Sequence, residues 1–368
     1  MNIAINACHY NDQEPSGARN RFAGLYSTVI RKATDTQFFV LEPKDSKPNE
    51  LIIPQKNVQF IKTGLLSNSV IQRHLLGKLT INQILQKNQV HIFDTSYLPL
   101  LKYNKGKTLL TIHDLRYVHF PEWYSLPRRW FSQRITTNAL KEADAIITVS
   151  QTMKNEILKF SAKARVEVVG NALSPEFLNC NTSVEKVQKI KMKYNLPQEY
   201  LLTVGHIEKR KNYLNLLKAM LILKKRNINI PLVAVGKRSD DTTQVNNFIK
   251  NNKLMNDVRF FYGLTESELA CFYKGANLFV FPSIYEGFGM PLLEAMHSTI
   301  PFICSDIPVF REIVTGDSNF FNPYKPEEIA KSIEKNIKRN LLTGFNDVLE
   351  KYSWEKWAEK YISIMKVL

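Results

Sequence analysis

The chain has 368 residues, 44% of them hydrophobic and 23% charged, with a formal net charge of +16. That length suits two domains of ordinary size better than one core, and the mix is that of a soluble globular protein. No run approaches the roughly 18 uncharged apolar residues of a membrane span, and the opening "MNIAINACHYND" lacks the basic-then-apolar layout of a signal peptide. Cys8, Cys180, Cys271 and Cys304 lie far apart with no CxxC pair. They are expected as free buried thiols in a reducing cytosol, and no metal-ligand cluster is visible.

In chain order, the first strand-like run is "NIAINA" (2–7), followed by "QFFVLE" (37–42), "VQFIKT" (58–63), "VHIFDTS" (90–96), "TLLTIHD" (108–114), "AIITVS" (145–150) and "VEVVGN" (166–171). Most carry apolar residues on both faces, as parallel strands covered by helices do. Helical stretches lie between them, among them 68–88 and 128–142. Residues 1–170 hold 23 Lys and Arg against 13 Asp and Glu, and the remainder 27 against 21. The first part is therefore the more basic, with Arg128-Arg129 and Lys102, Lys105 and Lys107 as clusters. Such an excess attracts nucleic acid, anionic lipid or a phosphorylated substrate, unless it only reflects solvated lysine-rich faces.

A polar, lysine-rich stretch follows "NALSPEF" (171–177) to about Leu196. The pattern then restarts with "YLLTVGHI" (200–207), "PLVAVGK" (231–237), "VRFFYGL" (258–264), "LFVFPS" (278–283) and "PFICSD" (301–306). Two β/α series joined by a linker imply two doubly wound Rossmann-like α/β domains, with ligands beyond the carboxyl ends of the strands. Neither series opens with GxGxxG, which lowers the case for a dinucleotide oxidoreductase. The GK of "VGKRSD" lacks P-loop glycine spacing.

"PSIYEGFGMPLLEAM" (282–296) carries the chemistry. Glu286-Gly287-Phe288-Gly289 is a turn whose glycines let backbone N–H groups approach a ligand, and Pro291 suits the first turn of a helix over 290–298. The free N–H groups and positive dipole end of that helix suit phosphate. Glu294, one turn inside, can accept hydrogen bonds from two ribose hydroxyls, and Glu286 can do the same for a sugar. The plainer reading makes both glutamates helix-end charges that offset the dipole. "VGHIEKRKNYLNLLKAM" (204–220) repeats the strand, glycine, basic loop and helix, with Gly205 at the turn. Arg210 and Lys211 stand just before the helix as two cations for a diphosphate.

These segments carry a resemblance. "EGFGMPLLEAM" resembles the Glu-x7-Glu signature of the family 4 retaining glycosyltransferases, and "VGHIEKRKN" resembles their G-x-x-x-x-R-K-N loop. "TIHDLRYVHFPEWYS" (111–125) resembles the acceptor-domain segment of their mannosyltransferase-like branch, and "ADAIITVSQTMKNEI" (143–157), "VVGNALSPEF" (168–177) and "YSWEKWAEKYI" (352–362) fit as well. The resemblance implies the GT-B fold, two Rossmann-like domains facing each other across a cleft. Residues 1–172 are then the acceptor-binding domain and 173–351 the nucleotide-sugar-binding domain, with the helix of 352–368 packing back on the first.

Residue by residue, it implies that Glu294 binds ribose and that Arg210 and Lys211 bind the diphosphate. Glu286, with the backbone of Gly287, Phe288 and Gly289, faces the donor sugar. His113 stands beside the transferred sugar, and Gly17 in "EPSGARNRF" (14–22) lies in the loop against the diphosphate. The loop reads Ser-Gly-Ala-Arg where the family often has Gly-Ile-Gly-Arg, and Lys209 replaces a frequent proline. The implied activity is metal-independent hexosyl transfer, mannose from GDP-mannose favoured, to a glycan or lipid-linked glycan hydroxyl in bacterial surface polysaccharide or lipopolysaccharide assembly. No cofactor and no nucleic-acid partner are expected. The implied place is the cytoplasm, with the basic first domain peripheral on the anionic inner face of the membrane. A sugar-nucleotide epimerase or phosphorylase on the same fold, and a non-catalytic binding subunit, are the alternatives.

Overall fold

The computed structural model describes every residue except 11–16, 48–51, 70–71, 73–74, 315, 317–318 and 339–343. The chain divides into two compact units, one of Met1–Ala172 with Tyr352–Leu368 and one of Leu173–Lys351.

Unit 1 is built on a seven-stranded parallel sheet. Its strands are β1 (Asn2–Asn6), β2 (Gln37–Glu42), β3 (Val58–Lys62), β4 (Ile92–Thr95), β5 (Lys107–Ile112), β6 (Ala145–Thr148) and β7 (Val166–Val168), in the order β3-β2-β1-β4-β5-β6-β7. The central strands β1, β4, β5 and β6 are buried along nearly their whole length, which explains their unbroken apolar runs. The flanking helix Gly17–Lys32 buries Phe22, Leu25, Tyr26, Val29 and Ile30, the three-and-four spacing of a helix with one face on a sheet. Ser150 caps the Gln151–Phe160 helix, accepting from the Met153 N–H at 3.1 Å.

The helix Trp354–Lys366 belongs to this unit and buries Trp354, Ala358, Tyr361, Ile364 and Met365 in the β1–β2 core. Trp354 packs on Gly24 and Trp357 on Gly170, where any side chain would collide with the indole. The Trp357 indole N–H donates to the Asn171 carbonyl at 3.1 Å. Beneath the helix, the Tyr26 hydroxyl donates to Asp94 at 2.6 Å and the Tyr361 hydroxyl donates to the same Oδ2.

Unit 2 repeats the plan with β8 (Leu201–Val204), β9 (Leu232–Val235), β10 (Val258–Phe261), β11 (Leu278–Phe281), β12 (Phe302–Ser305) and β13 (Phe320–Phe321), in the order β10-β9-β8-β11-β12-β13. All its pairings are parallel, such as Leu278 with Leu201 and Phe279 with Phe302. Each sheet thus reverses direction once, between β1 and β4 and between β8 and β11. Chain entering a helix leaves on opposite faces there, which opens a crevice at the carboxyl ends of the strands.

The strand cores fall where the sequence places them, with trimmed ends. The run 166–171 yields only Val166–Val168, and His113 and Asp114 lie just past β5 rather than in it. The expected helix over 68–88 is described as Gly77–Lys87, and part of 68–74 lies outside the described residues. The helix expected over 128–142 begins at Leu126, with Pro127 in its first turn. Cys8, Cys271 and Cys304 are buried free thiols, whereas Cys180 is partly exposed.

Candidate active site

The residues singled out in unit 2 gather at its switch point. β8 ends at Gly205, whose φ of +154° is a conformation other residues rarely adopt. A Cβ there would also sit 2.8 Å from Cε and 2.9 Å from Cδ of Lys211. Glycine is therefore needed both for the turn and for the Lys211 stem lying against it. The chain then makes a single 3-10 turn, Lys209–Lys211, and enters the helix Tyr213–Lys225 through Asn212 in the left-handed region. The Asn212 amide donates to the Pro282 carbonyl at 3.0 Å and the Pro323 carbonyl at 2.7 Å. The Ile284 N–H donates to the Arg210 carbonyl at 2.8 Å. These bonds fix the loop after β8 to the loop after β11.

That fixing brings three ionic side chains together. Arg210 donates from Nη1 to Glu286 Oε2 at 2.5 Å, and Lys211 donates from Nζ to Glu286 Oε1 at 2.6 Å. Arg210 also donates from Nε to Glu208 at 2.7 Å. The side chains of Lys211 and Glu286 are about nine-tenths buried, and the Lys211 ammonium lies 4.8 Å from the centre of the Phe281 ring. Burial alone raises the Glu286 carboxyl, but the Arg210 guanidinium and then the Lys211 ammonium outweigh it and hold it below the ordinary range. Burial lowers the Lys211 ammonium, and Glu286 opposes the effect. Both cations expected to face a diphosphate thus share the Glu286 carboxylate, and Arg210 has Glu208 as a second partner.

Past β11, Glu286-Gly287-Phe288-Gly289 leads into the helix Met290–His297. Gly289 has φ +135°, and a Cβ there would press on the Phe310 ring at 3.0 Å. Phe288 is buried. Glu294, in the second turn, accepts from the Tyr273 hydroxyl at 2.7 Å. Burial pushes its carboxyl up to about 7 against the pull of that hydrogen bond, with Glu266 adding to the rise and Lys211 opposing it. Burial thus brings the titration of Glu294 toward neutral pH.

In unit 1, His113 follows β5 and is partly buried. Burial drives its ring down to about 3, and the nearby charges of Arg21, His9 and Arg116 add to the effect. Both effects favour the neutral ring. Arg21, on the Gly17–Lys32 helix, is 4% exposed. Its Nη1 donates to the Gly170 carbonyl and to Asn171 Oδ1, the latter at 2.9 Å, while its Nη2 is buried without a partner. Gly17 begins the same helix, and a Cβ there would meet nothing within 4 Å. Residues 14–16 of its loop lie outside the described residues.

Two participants carried no signal in the sequence. Tyr273 reads as an ordinary helix residue, and Arg21 becomes special only once its burial is known. Asn212 is quoted in the R-K-N loop, but its role in tying two loops together shows only in the structure.

The chain matches two families in succession, Glycosyltransferase Family 4 over residues 16–177 and Glycosyl transferases group 1 over residues 185–364. The Escherichia coli serotype-specific mannosyltransferase WbdA is 31% identical over 269 residues, 68% of this chain, and the match takes in only 32% of the relative's own length. The E. coli O-antigen chain mannosyltransferase B is 26% identical, with 77% of this chain and 75% of the relative covered. The Salmonella typhimurium O-antigen chain mannosyltransferase RfbU is 28% identical, with 71% and 69% covered. Among solved structures, sucrose-phosphate synthase from Thermosynechococcus elongatus superposes with TM-score 0.76 at 17% identity, over 100% of this chain and 98% of that one. Anabaena Alr3699/HepE, in complex with UDP and glucose, gives TM-score 0.76 at 15% identity over 100% and 99%. The structural likeness shows the GT-B fold.

Proposed function

The chain belongs to the family 4 glycosyltransferases, and from that premise we propose that it moves a hexose from a nucleoside diphosphate sugar to a glycan hydroxyl with retention at the anomeric carbon. Mannose from GDP-mannose is the favoured donor, supported by the mannosyltransferases among its relatives. The setting is bacterial surface polysaccharide or lipopolysaccharide assembly, on a lipid-linked acceptor. No helix among the described residues is long and apolar enough to cross a membrane. The proposed place is the cytoplasm, with peripheral contact to anionic lipid.

The observation that carries the reading is the trio Arg210, Lys211 and Glu286 at the switch point of unit 2. In the empty protein the carboxylate holds the place of an anion. A diphosphate takes over the two cations and frees Glu286, which then accepts from the donor sugar's hydroxyls. Glu294 accepts from the ribose, and the backbone of Gly287, Phe288 and Gly289 lies along the sugar and phosphate. As the bond from C1 to the diphosphate oxygen breaks, charge grows on the leaving group, where fixed cations and a helix end already point. The acceptor oxygen bonds to C1 on the same face, and its proton passes to the departing phosphate. His113 is assigned to the transferred sugar as a neutral hydrogen-bonding ring, and Gly17 to the diphosphate. The cations do the neutralising, so no divalent metal is required.

Incubation with GDP-mannose and a mannan oligosaccharide tests this. Release of GDP and a new α-anomeric proton in NMR are expected. Conversion of donor without an acceptor, or a requirement for inorganic phosphate, would point to an epimerase or a phosphorylase instead.

A further inference from the structure

The helix Leu126–Glu142 faces the wrong way for a soluble protein. It fully buries only Thr136, Ala139 and Leu140, all in its second half. Its first two turns nevertheless carry Leu126, Trp130 and Phe131, which are 76%, 65% and 47% exposed. At about 100° per residue, Leu126, Pro127, Trp130, Phe131, Arg134 and Lys141 share an arc of about 140° with Thr137 and Asn138, opposite the buried three. The helix carries Arg128, Arg129, Arg134 and Lys141 against one acidic residue, Glu142 at its last position.

The cations and rings are arranged together. The Arg134 guanidinium lies 5.5 Å from the centre of the Trp130 ring, and that of Arg128 lies 5.3 Å from the Tyr124 ring. Two of the chain's four tryptophans, Trp354 and Trp357, pack inside unit 1, so the exposure of Trp130 is a departure within the same domain. Tryptophan with arginine at an open helix face is the composition of a bilayer interface, where the ring sits at headgroup depth and the cation meets lipid phosphate.

We infer that this outward face docks unit 1 on an anionic lipid bilayer, with Leu126, Trp130 and Phe131 entering the headgroup boundary and Arg134 and Lys141 pairing with lipid phosphate. A lone helix face is convex and has no pocket to enclose a sugar, whereas a charged planar surface matches its net positive charge and exposed rings. The inference deepens the membrane contact proposed above and gives it a definite surface.

Flotation of the full chain tests it, with vesicles of phosphatidylcholine alone or with phosphatidylglycerol, and with no donor or acceptor present. The wild type is expected to float with the anionic vesicles only. The triple variant L126S/W130S/F131S loses flotation, and R134Q/K141Q partitions at least about tenfold less at low salt. Brominated lipid quenches the wild-type tryptophan fluorescence, and W130F removes that quenching. Circular dichroism and GDP binding serve as controls, because none of these residues belongs to the donor site.

Flotation of the serine variant equal to wild type overturns the inference, as does quenching that survives W130F. A wild type that stays down while mannan oligosaccharide shifts its Trp130 fluorescence makes the face a glycan platform. A wild type that stays down while serine substitution halves its mass in light scattering makes the face a contact between copies. Absence of GDP binding in a protein that floats as expected would remove the proposed function and leave this surface standing.

Discussion

Glu294→Gln separates a buried carboxylate held for a ligand from a plain helix-end charge, because the two readings predict stability changes of opposite sign. Burial moves the carboxyl from its ordinary 4.5 to about 7 in the ligand-free protein. A group whose folded pKa lies above its unfolded value costs nothing below 4.5. It then costs progressively more as pH rises to about 7, and a constant amount beyond. The full cost at pH 8 comes to ~3 kcal/mol, and partial exposure trims it to roughly 1–3 kcal/mol.

Glutamine keeps an acceptor for the Tyr273 hydroxyl and removes the ionisation. The empty Glu294→Gln protein should therefore be more stable than wild type at pH 8 and equal to it near pH 4.5. Each kcal/mol is worth about 2–4 °C in Tm for a unit of this size, so a rise of several degrees is expected. Binding should move the other way. Losing hydrogen bonds to a charged group costs roughly 1.5–3 kcal/mol, about ten- to a hundredfold in GDP affinity. Wild-type affinity should also climb between pH 5.5 and 8 more steeply than that of the variant. Thermal unfolding across pH and isothermal titration with GDP supply the readings. A variant less stable than wild type at pH 8, with unaltered GDP affinity, would refute the reasoning and leave Glu294 a dipole charge worth a few tenths to one kcal/mol.

Glu286→Ala leaves Lys211 buried without its carboxylate while Arg210 keeps Glu208, so the ligand-free protein should lose on the order of 3 kcal/mol in urea titration. GDP should restore more Tm in that variant than in wild type while turnover collapses; equal gains would show that the diphosphate does not meet these cations. GDP titrated in EDTA should bind as tightly as in Mg²⁺, and loss of binding in the chelator would count against the fixed-cation site. Gly205→Ala should weaken GDP binding by displacing the Lys211 stem, and a crystal structure showing Lys211 unmoved would contradict that route. His113→Gln should slow transfer with GDP affinity kept. Because the buried ring resists protonation that the unfolded chain accepts, wild-type stability should fall as pH drops below 6.5 and fall less in the variant, as read by Tm between pH 4 and 7.

The two parallel sheets were legible because a strand covered on both faces writes a continuous apolar run, and "LFVFPS" or "QFFVLE" can hardly be anything else. β13 was not, since Phe320 and Phe321 are too few to show a period. The donor loops were legible through glycines and charges held close in sequence, as in Glu286 to Gly289. Their mutual neutralisation was not. Arg210 and Glu286 are 76 residues apart, and only the Asn212 and Ile284 bonds between two loops make them neighbours. Charge counting found the basic first domain but could not find its aromatic face. A helix apolar on both sides has little net periodicity, and Trp130 looks like core until its exposure is known.

The Trp354–Lys366 helix also sets an order of events. Residues 1–172 leave the ribosome first, yet their domain lacks the indoles that cover Gly24 and Gly170 and the Tyr361 hydroxyl that meets Asp94. Those groups arrive only after all of residues 173–351 have been made. The middle unit can close on local contacts while its elder neighbour waits with an open apolar seam. The first unit is thus expected to complete its core only once residues 352–368 are made, with its apolar seam open to aggregation until then.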